Sequence, residues 1–261
     1  MAAPAFCGER FLNMRGAATA LILLQAGCAQ NGLQAAAQPG ERNRSAGDSV
    51  ASFDPKQIGK SDIDRVADVH RREVFASLRV LAEKLYRRNP REWKKGGHAS
   101  VEAALDRLLD PRNGWRLPEA GGKSGTEAIL LALREDFAGD RVAVFIAGIG
   151  AMLNAAFDEK TEFFMLDDLD AQKLYNSARN LEIAAWKLAN ARDGGGALLL
   201  LSNETGQGGQ AANLSFEREF GKMIGNLDLL SSVVADKGHR TIARVAQSLA
   251  TAVFLPVMAL R

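Results

Sequence analysis

The sequence predicts an all-α domain, a bundle of about seven helices that follows a signal peptide and a flexible tether. Beyond residue 60, apolar residues recur at alternating spacings of three and four, which is the pattern of one helix face. Serine or aspartate stands where these stretches begin, and proline or glycine where they end. Strand patterns are almost absent, since only residues 197–201 form a short apolar run that suits a strand or an extended plug.

Residues 1–27 have the pattern of a bacterial lipoprotein signal peptide. Arg10 and Arg15 supply positive charge, and residues 16–24 form an apolar run too short to span a bilayer, which takes about 20 residues. Small residues follow, and then comes Cys28, at the position of the cysteine that becomes lipid-modified. We therefore predict lipidation at Cys28.

Two details of the signal leave alternatives open. Gln25 stands three residues before Cys28, where an apolar or small residue is usual, so an ordinary secretory signal cleaved nearby is the alternative. Met14 directly precedes a compact signal, and we expect it to be the true start. Cys7 is the only other cysteine, so the exported domain has no intramolecular disulfide and relies on its core.

Residues 28–53 are small, polar and aperiodic, as in a flexible tether with a reach of roughly 28 Å. Residues 54–261 then form the predicted helical periplasmic domain, which is long enough for one core. The chain has 47% hydrophobic residues, 25% charged residues and a net charge of +2. This near-neutral balance argues against a nucleic-acid-binding protein.

The first helix is predicted from residue 61 to about residue 88, where Asn89-Pro90 ends it. Its apolar stripe consists of Ile63, Val66, His70, Val74, Leu78, Leu81 and Leu85. A short helix follows Ser100 and ends at Asp110-Pro111. Its inward residues are Val101, Ala104, Leu105 and Leu108.

Ser124 and Glu127 predict a capping box, in which each side chain bonds the other residue's main-chain amide. The helix that they open is expected to end at Gly139. Its predicted buried residues are Ile129, Leu130, Leu133 and Phe137. Residues 142–157 are apolar on nearly all sides, which predicts the central core helix. Gly148 and Gly150 there are expected to admit close neighbours, and insertion into a membrane as a hairpin is the less favoured alternative.

The longest regular helix is predicted to begin at Asp167 or Asp168 and to reach about Arg192. Its seam is Leu174, Ala178, Leu181, Ala185 and Leu188. A second seam, closed at Gly238, is Phe216, Phe220, Met223, Leu227, Leu230 and Val234. A last helix, ended by Pro256, is predicted from Ile242, Val245, Leu249 and Val253.

No motif in the chain predicts catalysis, a metal site or a cofactor. Residues 121–124 resemble the end of a phosphate-binding loop, but Leu117 replaces its first glycine and no strand precedes it. The histidines His70, His98 and His239 lack the spacing of zinc ligands. His70 lies on an apolar stripe and is expected to be a hydrogen-bonded core histidine.

Two clusters of polar residues lie on the predicted helices, one at the end of the first helix and one on the long helix that begins near Asp168. Seven basic residues lie between positions 79 and 95, with Tyr86 and Trp93 among them, as suits an anionic membrane surface, and a solvated helix end is the alternative. The predicted contact residues are Arg87, Arg88, Arg91, Trp93 and Lys94. On the long helix, a polar group is expected to fix the register of the bundle, with Arg179 pairing Glu182. Its members are Asn176, Arg179, Asn180 and Glu182.

Four stretches carry a resemblance to a known family: LYRRNPREW at 85–93, ARN to WKL at 178–188, LSFEREFG at 214–221, and RTI to LP at 240–256. With these residues the chain resembles a family of uncharacterised lipoproteins from Gram-negative bacteria, over most of residues 58–257. The resemblance implies no catalytic residue. By analogy, Ala29 after the lipidated cysteine implies the outer membrane.

These observations predict a lipid-anchored, non-enzymatic envelope protein that acts as a scaffold or interaction module, with the membrane and an envelope protein as its partners. The alternative is a periplasmic lipid- or glycan-binding protein, in which the apolar helix at 142–157 lines a cavity. A large apolar pocket beside Phe145, Ile149 and Phe157 would favour the alternative, and a solid core there would favour the scaffold.

Overall fold

A single apolar helix, α5 (Arg141–Ala156), runs through the core, and the other helices are arranged around it. The computed structural model describes residues 59–204, 206, 211–239, 241–245 and 247–258. Within these ranges the protein is all-α, as predicted, with isolated β-bridges but no strand. The predicted signal peptide, Cys28 and the tether lie outside the described residues.

Seven α-helices are formed by the described residues. They are α1 (Asp62–Arg88), α2 (Pro90–Lys95), α3 (Val101–Leu108), α4 (Gly125–Ala132), α5 (Arg141–Ala156), α6 (Ala171–Asn190) and α7 (Ser215–Lys237). Helix α7 packs against both α1 and α6, and α4 lies along α5. Helix α5 also contacts α1, α2 and α6, which places it at the centre.

Helix α1 has the predicted bounds, and a capping box fixes its start. The Ser61 hydroxyl accepts the main-chain N–H of Asp64 at 3.3 Å, and the Asp64 carboxylate accepts the N–H of Ser61 at 2.7 Å. The C-terminal half of the predicted apolar stripe is buried. The prediction is wrong for the N-terminal half of the stripe, where Val66 is exposed and Asp68 is buried instead. Asp68 tolerates burial because its carboxylate accepts the Phe163 N–H at 2.9 Å and pairs with Lys60.

Helix α5 is the buried central helix that the sequence predicts. A Cβ atom on Gly148 would lie 2.7 Å from the carbonyl oxygen of Gly125, and one on Gly150 would overlap the ring of Trp115. Both glycines therefore permit the close packing expected of them. No helix of the described residues is long and apolar enough to cross a membrane.

Helix α4 departs from its prediction at both ends. Ser124 makes no side-chain cap bond, because the first helical residue, Gly125, has φ of +55° and carries the chain into the helix from a left-handed turn. The helix ends at Ala132 rather than at Gly139. The Arg141 guanidinium satisfies the main-chain carbonyl of Ala132 at 2.8 Å, as well as those of two residues beyond it. Leu130, predicted to be buried, is exposed.

Helices α6 and α7 bury the two predicted seams. The start of α6, at Ala171, is three or four residues later than expected, because the Asp170 carboxylate caps the amides of Gln172 and Lys173, whereas Asp167 pairs with Lys160. Helix α2 is not predicted by the sequence, in which Asn89-Pro90 indicates only the end of α1. Proline also suits the first helical position, where its missing N–H costs nothing.

The predicted last helix does not form. Residues 241–245 and 247–258, the C-terminal segment, are irregular and contain no helix. Val245, Leu249 and Val253, which were expected to face the core, are 42%, 38% and 72% exposed. The buried residues are Ala252 and Val257. The segment is held by helix α6 through hydrogen bonds that apolar periodicity does not reveal.

Candidate functional site

One face of α6 carries a ladder of amide side chains. Gln172, Asn176 and Asn180, the amide ladder, are separated by four residues and therefore lie above one another on the helix. Asn176 and Asn180 are buried, with exposures of 4% and 0%. Buried amides require hydrogen-bond partners, and here the C-terminal segment supplies them.

Asn180 binds both main-chain groups of a single residue. Its Nδ2 donates to the Leu255 carbonyl oxygen at 2.8 Å, and its Oδ1 accepts the Leu255 N–H at 2.6 Å. Asn176 Nδ2 donates to the carbonyl oxygen of Pro256 at 2.7 Å. None of these three hydrogen bonds involves a side chain of the C-terminal segment.

Gln172 repeats the same arrangement two turns earlier. Its Nε2 donates to the Ala243 carbonyl oxygen at 3.1 Å, and its Oε1 accepts the Ala243 N–H at 2.8 Å. The Tyr175 hydroxyl accepts the N–H of Val245 at 3.2 Å, and Gln172 Nε2 also donates to Asn176 Oδ1 at 2.8 Å. The ladder therefore binds main-chain groups at two separate points of the C-terminal segment, Ala243 and Leu255–Pro256, and its hydrogen bonds do not involve their side chains.

The sequence identified part of this group and misassigned its role. Arg179 pairs with Glu182 at 3.2 Å as predicted and reaches Asp228 on α7 at 2.7 Å, so these charges do tie two helices together. Burial is the main cause that raises the pKa of Glu182. Asn176 and Asn180 instead hold the C-terminal segment. Gln172 and Tyr175 were missed, although the spacing of four between the amides was a usable signal.

Two clefts lie on either side of the end of the C-terminal segment. The larger has a volume of about 470 Å³ and lies between this segment and α4. Its lining includes Gly122, Thr126, Glu127, Met152, Phe254 and Val257. The second has a volume of about 380 Å³ and is more polar. Its lining includes Arg116, Ser124, Asn154, Asp158, Glu159 and Lys173.

The polar cleft mixes both signs of charge. Lys173 is the more enclosed of the two cations that line this cleft, with a side chain 13% exposed, and its Nζ lies 4.0 Å from Asp158 Oδ1. Asp158 and Glu159 both have positive φ angles. In the part of the chain that the structure describes, no group of three or more histidine, cysteine or acidic side chains is arranged to hold a metal ion.

A buried polar cluster at the start of α5 is explained by the helix itself. The Tyr86 hydroxyl donates to Asp140 Oδ2 at 2.9 Å, and Asp140 Oδ1 accepts the Ala143 N–H at 2.9 Å. Glu92 Oε2 accepts the N–H of Arg141 at 2.8 Å. These carboxylates satisfy the amides of a buried helix N-terminus, whose dipole favours negative charge. Burial is the main cause that raises the pKa of Asp140 and that of Tyr86.

His70 is hydrogen-bonded as predicted, since its Nδ1 lies 2.7 Å from Asn226 Oδ1, but it is only half-buried and is not a core histidine.

The predicted membrane-contact residues lie together at the junction of α1 and α2. Some of their charges are paired with acidic side chains, and others are free to face a membrane. Arg87 pairs with Glu83 at 2.8 Å, and Arg88 pairs with Glu204 at 2.7 Å. Arg91 is exposed.

The aromatic member of the group is partly committed to the fold. Trp93 packs against the core, its Nε1 is buried without a hydrogen-bond partner, and Lys94 Nζ lies 5.4 Å from its ring centroid. Contact with a membrane at these residues stays a prediction.

Comparison of the chain with known protein families, with curated proteins and with solved structures finds no match.

Proposed function

We propose that this chain is a lipid-anchored, non-enzymatic helical protein of the bacterial envelope that acts as an interaction module. The observation that carries the module is the amide ladder, because its hydrogen bonds go to main-chain groups of the irregular C-terminal segment. Main-chain hydrogen bonding is a common means by which proteins bind extended polypeptides. Lipidation at Cys28 and a location at the outer membrane, with the domain in the periplasm, come from the sequence pattern and its analogy.

The packing of α5 supports this function over the lipid- or glycan-binding alternative. Phe145, Ile149 and Phe157 are all fully buried. The Phe157 ring lies 6.3 Å from that of Phe75 and 6.1 Å from that of Phe163, measured between centroids. Side chains therefore fill the position of the apolar cavity that the alternative function requires.

The anchor is tested by intact mass and membrane fractionation of the unaltered chain beside Cys28→Ala. We expect the unaltered protein to carry a diacylglyceryl group on residue 28 and to sediment with outer membranes, and the variant to be soluble. Cys7→Ala is the matched control and should behave like the unaltered protein, because Cys7 is lost with the signal. A soluble mature protein with unmodified or absent Cys28 would contradict the anchor.

The module is tested in intact cells by a photo-crosslinking residue at position 127, where exposed Glu127 lines the cleft beside the C-terminal segment. The control position is exposed Ser232 on α7. We expect crosslinks to an envelope protein from position 127 that are stronger than those from position 232 and that weaken with Asn180→Asp. Equal crosslinking from both positions, or no effect of Asn180→Asp, would argue against a module built on the ladder.

A further inference from the structure

We propose that the polar cleft at the C-terminal end of α5 binds a small zwitterion, either an α-amino acid or a short peptide. Lys173 and Arg116 bind the carboxylate group of this ligand. Asp158 and Glu159 bind its ammonium group. The site uses residues other than those of the amide ladder and the lipid anchor, so the inference goes beyond the function proposed above and does not depend on it.

The cations of the cleft have hydrogen-bonding capacity that the protein itself does not use. The Lys173 side chain is 13% exposed, and its Nζ lies 4.0 Å from Asp158 Oδ1, a distance too long for a hydrogen bond. Within the described ranges this Nζ donates no hydrogen bond, although an ammonium group carries three donors. Arg116 is exposed, and its guanidinium has no acidic partner in the same ranges. An anionic group in the cleft supplies the acceptors that the enclosed ammonium of Lys173 lacks.

Asp158 and Glu159 occupy positions that stability alone disfavours. They follow the last residues of α5, where the Glu159 N–H donates to the carbonyl oxygen of Asn154 at 2.8 Å. Their φ angles are +54° and +60°, in the left-handed region that glycine adopts without strain. Both also place negative charge at a helix C-terminus, where the macrodipole favours cations. Carboxylates that carry both penalties point to a role in binding a positive group and not in stabilising the fold.

The two signs of charge meet inside the cleft. The Lys173 ammonium and the Asp158 carboxylate are 4.0 Å apart, so a ligand with ammonium and carboxylate on one carbon can bond both side chains at once. Two carboxylates in the lining repel a purely anionic ligand, and two cations repel a purely cationic one. The cleft therefore favours a molecule that carries both charges.

The rest of the lining suits a ligand of small size. The volume of about 380 Å³ is near the lower end of the range for small-molecule sites, roughly 300–1,000 Å³. Ala151, Ala155 and Val257 form its apolar part, which suits a short side chain. Ser124 and Asn154 add a hydroxyl and an amide, and the Ser124 hydroxyl makes no cap bond. These two groups can bond either end of a zwitterion.

The test is an NMR titration of the isotope-labelled full-length chain carrying Cys28→Ala, with alanine and alanyl-alanine as probes. We expect saturable shifts of the main-chain amides of Asp158, Glu159 and Lys173. Saturation at a lower concentration of alanine would identify a free amino acid as the ligand, and saturation at a lower concentration of alanyl-alanine would identify a peptide. No saturable shift of these amides with either probe would overturn the proposal.

Blocked probes assign the two ends of the ligand. Alaninamide lacks the carboxylate and N-acetylalanine lacks the ammonium group, so each should bind about tenfold or more weakly than alanine, since each loses a charge-assisted hydrogen bond. Lys173→Gln should reduce the preference for alanine over alaninamide. Asp158→Asn, in which asparagine tolerates the left-handed conformation, should reduce the preference for alanine over N-acetylalanine.

The matched control is Lys187→Gln, which removes a lysine of the same helix that lines a different cleft. This variant should bind alanine like the parent. Equal binding of alanine and both blocked probes, or a loss in Lys187→Gln equal to that in Lys173→Gln, would overturn the proposal.

A stability measurement separates a binding role of Glu159 from a structural one. Glu159→Gly removes a left-handed side chain and a charge that the helix dipole disfavours. The urea midpoint of unfolding should therefore rise while affinity for alanine falls. A lower midpoint, or an unchanged affinity for alanine, would contradict the proposal, because Glu159 would then serve the fold and not the ligand.

Discussion

Tyr86 is a fully buried side chain whose hydroxyl donates to Asp140, the residue that also caps α5. Burial, followed by the charge of Asp140, raises the pKa of the Tyr86 hydroxyl above its ordinary value. Asp140 also has a raised pKa, mainly because it is buried. The pair is therefore expected to make the free energy of unfolding depend on pH.

We predict that Tyr86→Phe lowers the free energy of unfolding at pH 7 by about 1–3 kcal/mol, because Asp140 loses a donor in a buried site. The deficit should shrink above pH 10, the ordinary tyrosine pKa. There the unfolded Tyr86 ionises while the folded one stays protonated, so the unaltered protein loses about 1.4 kcal/mol per pH unit and the variant does not.

Urea unfolding of both proteins at pH 7, 10 and 11 measures this convergence. Groups that do not contact Tyr86 titrate equally in the two proteins, so the difference between the two stability curves reports on Tyr86 and its partner Asp140. Parallel stability curves from pH 7 to 11 would mean that Tyr86 is not held in its protonated form by the fold.

Residue-scale chemistry was only partly predictable from the sequence. The roles of Gly148 and Gly150 followed from small residues on a helix that is apolar on all sides. The roles of Asn176 and Asn180 did not, because an amide's partner is set by whichever main chain folds beside it. Leu255 is 75 residues from Asn180 in sequence, and no local pattern links them.

At the scale of elements, helices with long apolar seams were predictable and those fixed by tertiary contacts were not. α1, α5, α6 and α7 occur where their patterns indicate, with errors of a few residues at their ends. The predicted last helix failed although its spacing was regular, because the ladder on α6 offers its backbone alternative hydrogen bonds. Tertiary hydrogen bonds that outweigh local propensity are a general limit of sequence patterns.

The two serines that precede α1 and α4 make a matched test of capping. Ser61 forms a complete capping box, whereas the Ser124 side chain makes no cap bond. We predict that Ser61→Ala lowers the free energy of unfolding by about 1 kcal/mol, the usual value of a side-chain cap. Ser124→Ala should change it by less than about 0.5 kcal/mol, as for a substitution that breaks no bond.

Urea unfolding at pH 7 measures both variants against the unaltered chain. If Ser124→Ala lowered the free energy of unfolding as much as Ser61→Ala, Ser124 would form the capping box that the sequence predicts. No loss for Ser61→Ala would show that the start of α1 is held by the Lys60–Asp68 pair and packing.

At the scale of the whole molecule, charge is balanced, and attraction to a membrane depends on local patches and not on the net charge of +2. The basic group at the end of α1 is one such patch, but ion pairs divide it. Arg87 and Arg88 have acidic partners, whereas Arg91 and Lys94 are exposed beside Trp93. Each basic residue free to approach an anionic bilayer contributes about 1 kcal/mol.

This division predicts unequal effects in a liposome assay with the unlipidated Cys28→Ala chain. Arg91→Gln with Lys94→Gln should weaken binding to vesicles containing phosphatidylserine by about tenfold or more, since two available charges are lost. Arg87→Gln with Arg88→Gln removes the same formal charge but frees Glu83 and Glu204. The freed carboxylates repel the anionic vesicles, so this second double variant should also bind more weakly, even if only residues 91–94 touch the membrane. The salt dependence of binding distinguishes this long-range repulsion from the loss of a direct contact.

At low ionic strength both double variants should bind more weakly than the parent. At 0.15 M salt, where charges more than about 8 Å apart are screened, the effect of Arg91→Gln with Lys94→Gln should persist and that of Arg87→Gln with Arg88→Gln should fall. The reason is proximity, because only residues touching the headgroups escape screening. Equal losses at both salt concentrations would make the whole basic group the contact, and no loss in either variant would leave the lipid at Cys28 as the proposed membrane contact.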